Sequence, residues 1–302
     1  MAGSTLASDT ADRRSPIAAF ADVGPGRPRF KALRRAARTR LAAVGVLVLL
    51  LALLVAVAAP AVAPHDPLKQ DLAHTLARPS RAHPLGTDNV GRDVLSRVVW
   101  GARVSLIAGF VSVAIALVTG GVLGLVAGYA RGRVDGVVMR LMDAVLSFPP
   151  LVLALALGAV LGAGLGGVLI ALGVVYTPTF ARLMRAQVLS ITARDYVDAA
   201  RALGAPGWRI AARHVVPNAT APMVVQASLS VAFAILAEAS LSFLGLGIQP
   251  PAASWGSMIN AGRGYLQQAP WIVFGPGAAL LVTVLGLNFV GDAVRDALDP
   301  RA

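Results

Sequence analysis

The sequence predicts an all-α polytopic membrane protein with six transmembrane helices. Three observations lead there. Apolar residues make up 56% of the 302-residue chain and charged residues only 14%, where a soluble domain carries nearer a quarter charged. Several apolar runs reach the roughly 18 residues that a helix needs to cross a bilayer core. The arginines collect in the gaps between those runs, as the positive-inside rule requires of a multi-pass protein. The alternating pattern of a β-barrel is absent. The net charge of +12 is spread over these gaps rather than along one nucleic-acid-binding face, so no nucleic-acid partner is expected. The chain has no cysteine, which excludes disulfides and thiolate metal sites.

Residues 1–40 read as a cytoplasmic, largely disordered basic segment, with Arg27, Arg29, Lys31, Arg34, Arg35, Arg38 and Arg40 leading into the first apolar run. The first transmembrane helix occupies 41–63. "APAVA" at 59–63 imitates a signal cleavage site. The apolar run is longer than a signal h-region and the preceding polar segment is too long for an n-region, so an uncleaved span is expected.

Residues 64–103 form an outward loop. Within "GTDNVGRDVLSRVVWG" a short interfacial helix is expected, with Val94, Leu95, Val98 and Val99 on its apolar face and Arg92, Asp93 and Arg97 on its polar face. The core, 104–293, holds five further spans at about 104–129, 137–162, 165–183, 221–245 and 271–291. Pro149 and Pro150 interrupt the third and Pro178 lies inside the fourth. Abundant glycine permits close helix approach. Residues 294–302 form a tail. Alternation of the spans puts both termini, 130–140 and the loop 184–218 in the cytoplasm.

That loop contains "DYVDAARALGAPGWRIAARHVVPN" (195–218). Asp195 is the expected N-cap of a first short helix, and Gly204 fits the left-handed position that ends it. Pro206 suits the first turn of a second helix, which Pro217 ends. From the residues alone, an ordinary interfacial loop is the favoured reading.

The spacing adds a resemblance. Asp198-Ala199-Ala200, three residues, Gly204, nine residues, His214, one residue, Val216-Pro217 resembles the EAA motif of ABC importer permeases. Asp stands for Glu, His for Ile and Val for Leu. "HPLGTDNVGRDVLSRVVWGARVSL" (83–106), "RHVVPN" (213–218), "EASLSFLGLGIQPPAASWGSMI" (238–259) and "DALDP" (296–300) are together similar to the dipeptide/oligopeptide/nickel permease subfamily, in its C-type (DppC/OppC-like) subunit. The resemblance covers about residues 30–300. It implies a type I ABC importer permease fold in the bacterial cytoplasmic membrane, with a cytoplasmic coupling helix that docks on an ATPase.

The implied partners are a second homologous permease (DppB/OppB-like), two ATP-binding subunits, an extracytoplasmic substrate-binding protein and membrane lipid. ATP and Mg are expected on the ATPase subunits and no cofactor on this chain, which has no GxxxxGK[ST] loop. The chain is expected to be a transport subunit and not an enzyme. The implied cargo is di- or oligopeptide, with nickel-chelate or glutathione-like solutes as alternatives. An ion-coupled secondary transporter is the competing class, and it would call for two halves with paired broken helices, which the sequence does not display.

Two pathway candidates stand out. Glu238 is a carboxylate late in the fifth span and is either a pathway group or a hydrated group near the outer interface. Asn288 could hydrogen-bond across helices in the sixth. Asp143 is expected to pair with a cytoplasmic-side arginine. His65, His74 and His83 share the outward loop, but their spacing forms no compact helical ligand pair and no metal site is expected. The stretch "GIQPPAASWGSMINAGRGYL" is expected to form a re-entrant or surface element capping the pathway.

Overall fold

The computed structural model describes residues 40–298. The basic segment expected at 1–39 and the end of the tail at 299–302 lie outside the described residues. Helices dominate, and no strand occurs among the described residues.

The first span is α1 (Arg40–Val57) followed by the short α2 (Ala59–Val62), with Pro60 in the first turn of α2. Only Ala42, Gly45 and Ala56 of α1 are buried, so most of this apolar helix faces outward. The second span is α3 (Val94–Ala130), a single helix of 37 residues. It runs about 55 Å at 1.5 Å per residue, well beyond a bilayer core of about 30 Å. The separate interfacial helix expected in the loop is therefore absent: the apolar pattern at Val94, Leu95, Val98 and Val99 is the first turns of α3 itself. Its supposed polar face is also buried, because Arg92, Asp93 and Arg97 find partners within the protein.

The third span is broken. Amphipathic α4 (Gly132–Leu146) and apolar α5 (Pro150–Leu161) meet at 93°. Pro149 is extended at φ −56°, ψ 129°, and proline disfavours a helical conformation in the residue before it. Among the described residues, five helices are long and apolar enough to cross a membrane, or six if the bent pair is one span.

The fourth span is α6 (Leu165–Thr192), which carries Pro178 without a break. It lies along α3 over much of its length. A Cβ on Gly120 or Gly124 would collide with the carbonyl oxygens of Thr177 and Ala181, and one on Gly128 would meet Val188 Cβ at 2.8 Å. Glycine at every fourth position thus lets the two backbones touch. Phe180, Met184, Val188 and Ile191 of α6 join Leu106, Val113 and Ala116 of α3 in the main core, together with Val231, Ala232 and Ile235 of the fifth span.

The polar segment follows as α7 (Asp195–Ala202) and α8 (Gly207–Ile210), then a π turn (Ala211–Val215) that runs directly into α9 (Val216–Phe243). Pro217 therefore does not end a helix. It sits in the first turn of α9, where the wider π turn before it accommodates the missing N–H. The cap of α7 is also shifted: Asp195 is its first residue and Arg194 the cap, without a side-chain hydrogen bond. After α9 comes α10 (Trp255–Gly262), opened by a reciprocal Ser254–Ser257 capping box. The sixth span is α11 (Trp271–Leu298).

Candidate functional site

Three polar groupings stand out from the apolar bundle. The first is the segment 194–217 at the Ala130 end of α3. α7 stops in two linked hydrogen bonds, Gly204 N–H to Arg201 O at 2.9 Å and Ala205 N–H to Ala200 O at 3.0 Å. This is a Schellman turn, and Gly204 holds its left-handed position at φ +79°. Val197, Ile210 and Val215 are wholly buried and pin the segment to the main core beside Val188 and Ile191. The opposite face is open. Leu203 is 88% exposed and Trp208 69%, a large apolar tip at the end of a polar element. Arg209 lies over the Trp208 ring at 5.5 Å.

The residues expected to couple here fall on one structure. Asp198 is exposed and pairs with Arg201 at 2.8 Å. Ala199 is exposed and Ala200 half-buried. A side chain on Gly204 would meet open space. His214 is half-buried, with its ring 5.8 Å from that of Tyr196. Val216 and Pro217 are exposed at the start of α9. Two ion pairs brace the neighbouring helices: Arg185 grips Asp135 through two bonds of 2.5 and 2.6 Å, and Arg182 bonds Asp143, the arginine partner expected for that residue.

The second grouping surrounds Glu238. Its carboxylate is wholly buried. Ser105 Oγ of α3 donates to one oxygen at 2.9 Å and Ser242 Oγ of α9 to the other at 2.8 Å. Both hydroxyls also accept backbone N–H groups, from Trp255 at 3.4 Å and Ile248 at 3.1 Å. Trp255 is itself buried and donates its indole N–H to Val98 O at 3.0 Å. Glu238 thus sits under the segment 244–262, which folds back over the bundle. It is neither hydrated at an interface nor lining an open space in this conformation. Asn288 is half-buried on α11, and among the described residues its side chain makes no hydrogen bond. These two pathway candidates are not brought together.

The third grouping lies at the Val94 end of α3, about 55 Å from the first. Asp88 takes Arg92 at 2.7 Å and Arg97 at 3.6 Å, while Arg97 also donates to the carbonyl oxygens of Pro67 and Pro251. Asp93 caps α3 through the Ser96 N–H and Oγ, both at 2.7 Å. Its other oxygen faces His83 Nδ1 at 2.9 Å and His65 Nδ1 at 3.8 Å. Sequence spacing separates these groups by 18 and 10 positions, so no local pattern signals them. The shared signal is that each histidine adjoins a proline, in "PHDP" and "HP". His74 stands apart with Asp71, whose carboxyl that imidazole holds below the usual carboxylate range.

Residues 120–302 match the family described as binding-protein-dependent transport system inner membrane component, and residues 29–79 match the N-terminal transmembrane domain of oligopeptide transport permease C. The dipeptide transport system permease protein DppC of Alkalihalophilus pseudofirmus is 42% identical over 93% of this chain and 92% of its own. The di/tripeptide transport system permease protein DppC of Pseudomonas aeruginosa is 46% identical over 85% of this chain and 87% of its own. The glutathione transport system permease protein GsiD of Pectobacterium atrosepticum is 43% identical over 74% of each chain. Among solved structures, a chain of the inward-facing MetNI methionine ABC transporter superposes with a TM-score of 0.53 at 21% identity, over 67% of this chain and 96% of that one. That likeness bears on the fold.

Proposed function

The chain belongs to the family of binding-protein-dependent transport system inner membrane components, and from that premise we propose that it carries di- and oligopeptides across the bacterial cytoplasmic membrane. It is an integral, multi-pass permease subunit of an ABC importer and not an enzyme. Such a permease works with a second permease and with ATPase subunits. The peptide cargo is argued from the dipeptide relatives, which match at 42% and 46% identity over most of the chain.

We infer that residues 195–217 are the coupling element and that they face the cytoplasm. The observation that carries this is the exposed tip of Leu203 and Trp208 on a segment whose other face is locked into the core. A large apolar side chain held out on a rigid polar element suits insertion into a partner's groove. ATP and Mg would be held by that partner, and ATP-driven closure would move the segment and the spans fused to it. Both termini would then lie in the cytoplasm, with an extracytoplasmic binding protein delivering cargo at the Val94 end.

The test is uptake of a labelled dipeptide by cells carrying the complete importer, together with identification of the subunits that co-purify with the tagged chain. Recovery of a second permease and ATPases, with uptake competed by unlabelled dipeptides, supports the reading. Competition by glutathione and not by dipeptides would move the cargo to the glutathione-like class. A chain that purifies alone and drives ion-coupled uptake would overturn the coupling element.

A further inference from the structure

We propose that His65, His83 and Asp93 form a binding site for one divalent transition-metal ion of the borderline class (zinc, cobalt or nickel) that clamps the outward loop to the start of α3. One ligand atom from each of the three lies within 4.8 Å of the others. The site is independent of the cargo and of the coupling element at the far end of α3.

The distances suit a metal. Ligand atoms about 2.1 Å from a zinc-like ion stand about 3.0–3.5 Å from one another. Asp93 Oδ1 already lies 2.9 Å from His83 Nδ1 and 3.8 Å from His65 Nδ1. The two imidazole rings lie side by side, with centroids 4.8 Å apart. Closing on one ion would draw the most widely separated pair, now within 4.8 Å, together by about 1 Å, a movement that the partly exposed His65 side chain leaves room for. Two imidazoles and one carboxylate, with positions left for water, are a donor set typical of borderline divalent ions.

The carboxylate is positioned from behind. Ser96 N–H and Oγ hold Asp93 Oδ2, leaving Oδ1 aimed at the imidazoles. The Ser96 hydroxyl also accepts the His65 backbone N–H at 3.0 Å, so one serine registers two of the three ligands. His83 is fixed by a reciprocal pair of bonds with Ser80, N–H to Oγ at 3.1 Å and Ser80 N–H to His83 O at 2.9 Å. Such outer partners orient ligands and raise metal affinity.

Charge balance points the same way. The Asp93 side chain is only 1% exposed. Among the described residues no arginine or lysine reaches it, whereas its neighbour Asp88 has both Arg92 and Arg97. A cation entering beside Oδ1 would supply the missing positive charge. The entry side exists: the His65 side chain is 41% exposed and borders a cavity of about 630 Å³ that is also lined by Pro64, Trp100, Val104 and Ala253.

The site is tested on the full chain with its co-purifying subunits in lipid nanodiscs, carrying a tag without histidine. After chelator treatment, Co²⁺ is titrated while its visible absorption and the melting temperature are followed. Wild type is expected to bind one more equivalent than His65→Gln or His83→Gln, and to gain melting temperature from the ion where those two variants do not. Each variant should weaken that equivalent by about 10- to 100-fold or more. His74→Gln, which alters the one loop histidine outside the cluster, should bind like wild type. Because His65 is partly exposed, its variant remains informative if His83→Gln fails to assemble. Equal binding by wild type and His65→Gln, or equal loss in His74→Gln, would overturn the site.

Discussion

Ser105 and Glu238, 133 positions apart in the chain, share a 2.9 Å hydrogen bond inside the bundle. The bond joins the second span to the fifth, and Ser105 passes the link on to the backbone of Trp255. A buried carboxylate that loses one of its two hydroxyl partners keeps its desolvation cost. Ser105→Ala should therefore lower stability by about 1–3 kcal/mol, read as a drop in melting temperature of the detergent-extracted complex. Glu238→Gln keeps the shape and one acceptor and should cost less than Glu238→Leu, which strands both serines. Equal melting temperatures for all three variants and wild type would show that the link carries no weight.

The crossing of α3 and α6 is set by glycine. At Gly124 even a methyl group would collide with the Ala181 carbonyl. Gly124→Ala should push the helices apart at a cost of about 1–3 kcal/mol and reduce the amount of chain recovered from membranes. Gly136, also helical, has nothing within 4 Å of a would-be Cβ. Gly136→Ala should be neutral or stabilising by up to about 1 kcal/mol. Similar loss at both positions would remove the close-approach explanation.

At Gly204 the constraint is conformational rather than steric, since φ is +79° and the space around it is open. Gly204→Ala should cost about 1–2 kcal/mol, and Gly204→Asn less, because asparagine tolerates the left-handed region. Circular dichroism melts of the purified chain would rank them. An alanine variant as stable as the asparagine variant would contradict the Schellman turn.

The exposed tip should matter for transport and not for folding. Leu203→Glu and Trp208→Glu change side chains that the bundle does not bury, so membrane levels should hold within about twofold, as for exposed positions generally. Uptake should fall about tenfold or more, the scale of losing an interface anchor. Uptake at wild-type rate in both variants would rule the tip out as the contact with the ATPase.

The Arg185–Asp135 pair is partly buried and bidentate, which favours a measurable coupling over the near-zero value of most surface pairs. A double-mutant cycle with Arg185→Gln and Asp135→Asn should return about 0.5–1 kcal/mol. Strict additivity would show that the pair does not tie α4 to α6.

Much of this was legible in the sequence, and the gaps have physical causes. Span number follows from apolar length, the break in the third span from Pro149-Pro150, and the turn after α7 from Gly204. Long-range partners were not legible. Arg92, Asp93 and Arg97 looked like a water-facing stripe because amphipathicity says only that a face is polar. Arg97 is instead buried against carbonyls 30 and 154 positions away. Pro217 looked like a terminator because local rules assume an α-helical ladder, and a π turn changes that ladder. The histidines show no relation at helical spacing because His65, His83 and Asp93 come from separate turns of the chain.

The unbroken length of α3 has a mechanical meaning. Its clamp against α6 is centred near Gly124, about 45 Å along the helix from Val94 at 1.5 Å per residue. Toward Val94 it is also packed on Ile235 at Gly109 and on Trp255 at Gly101, so it is a rod held along its length. A tilt of about 5° about Gly124 would carry the Val94 end through about 4 Å over that length, and the neighbours packed on it would have to travel with it. The helix is thus a strut: it passes on a tilt only together with the helices it is packed against, as one rigid body.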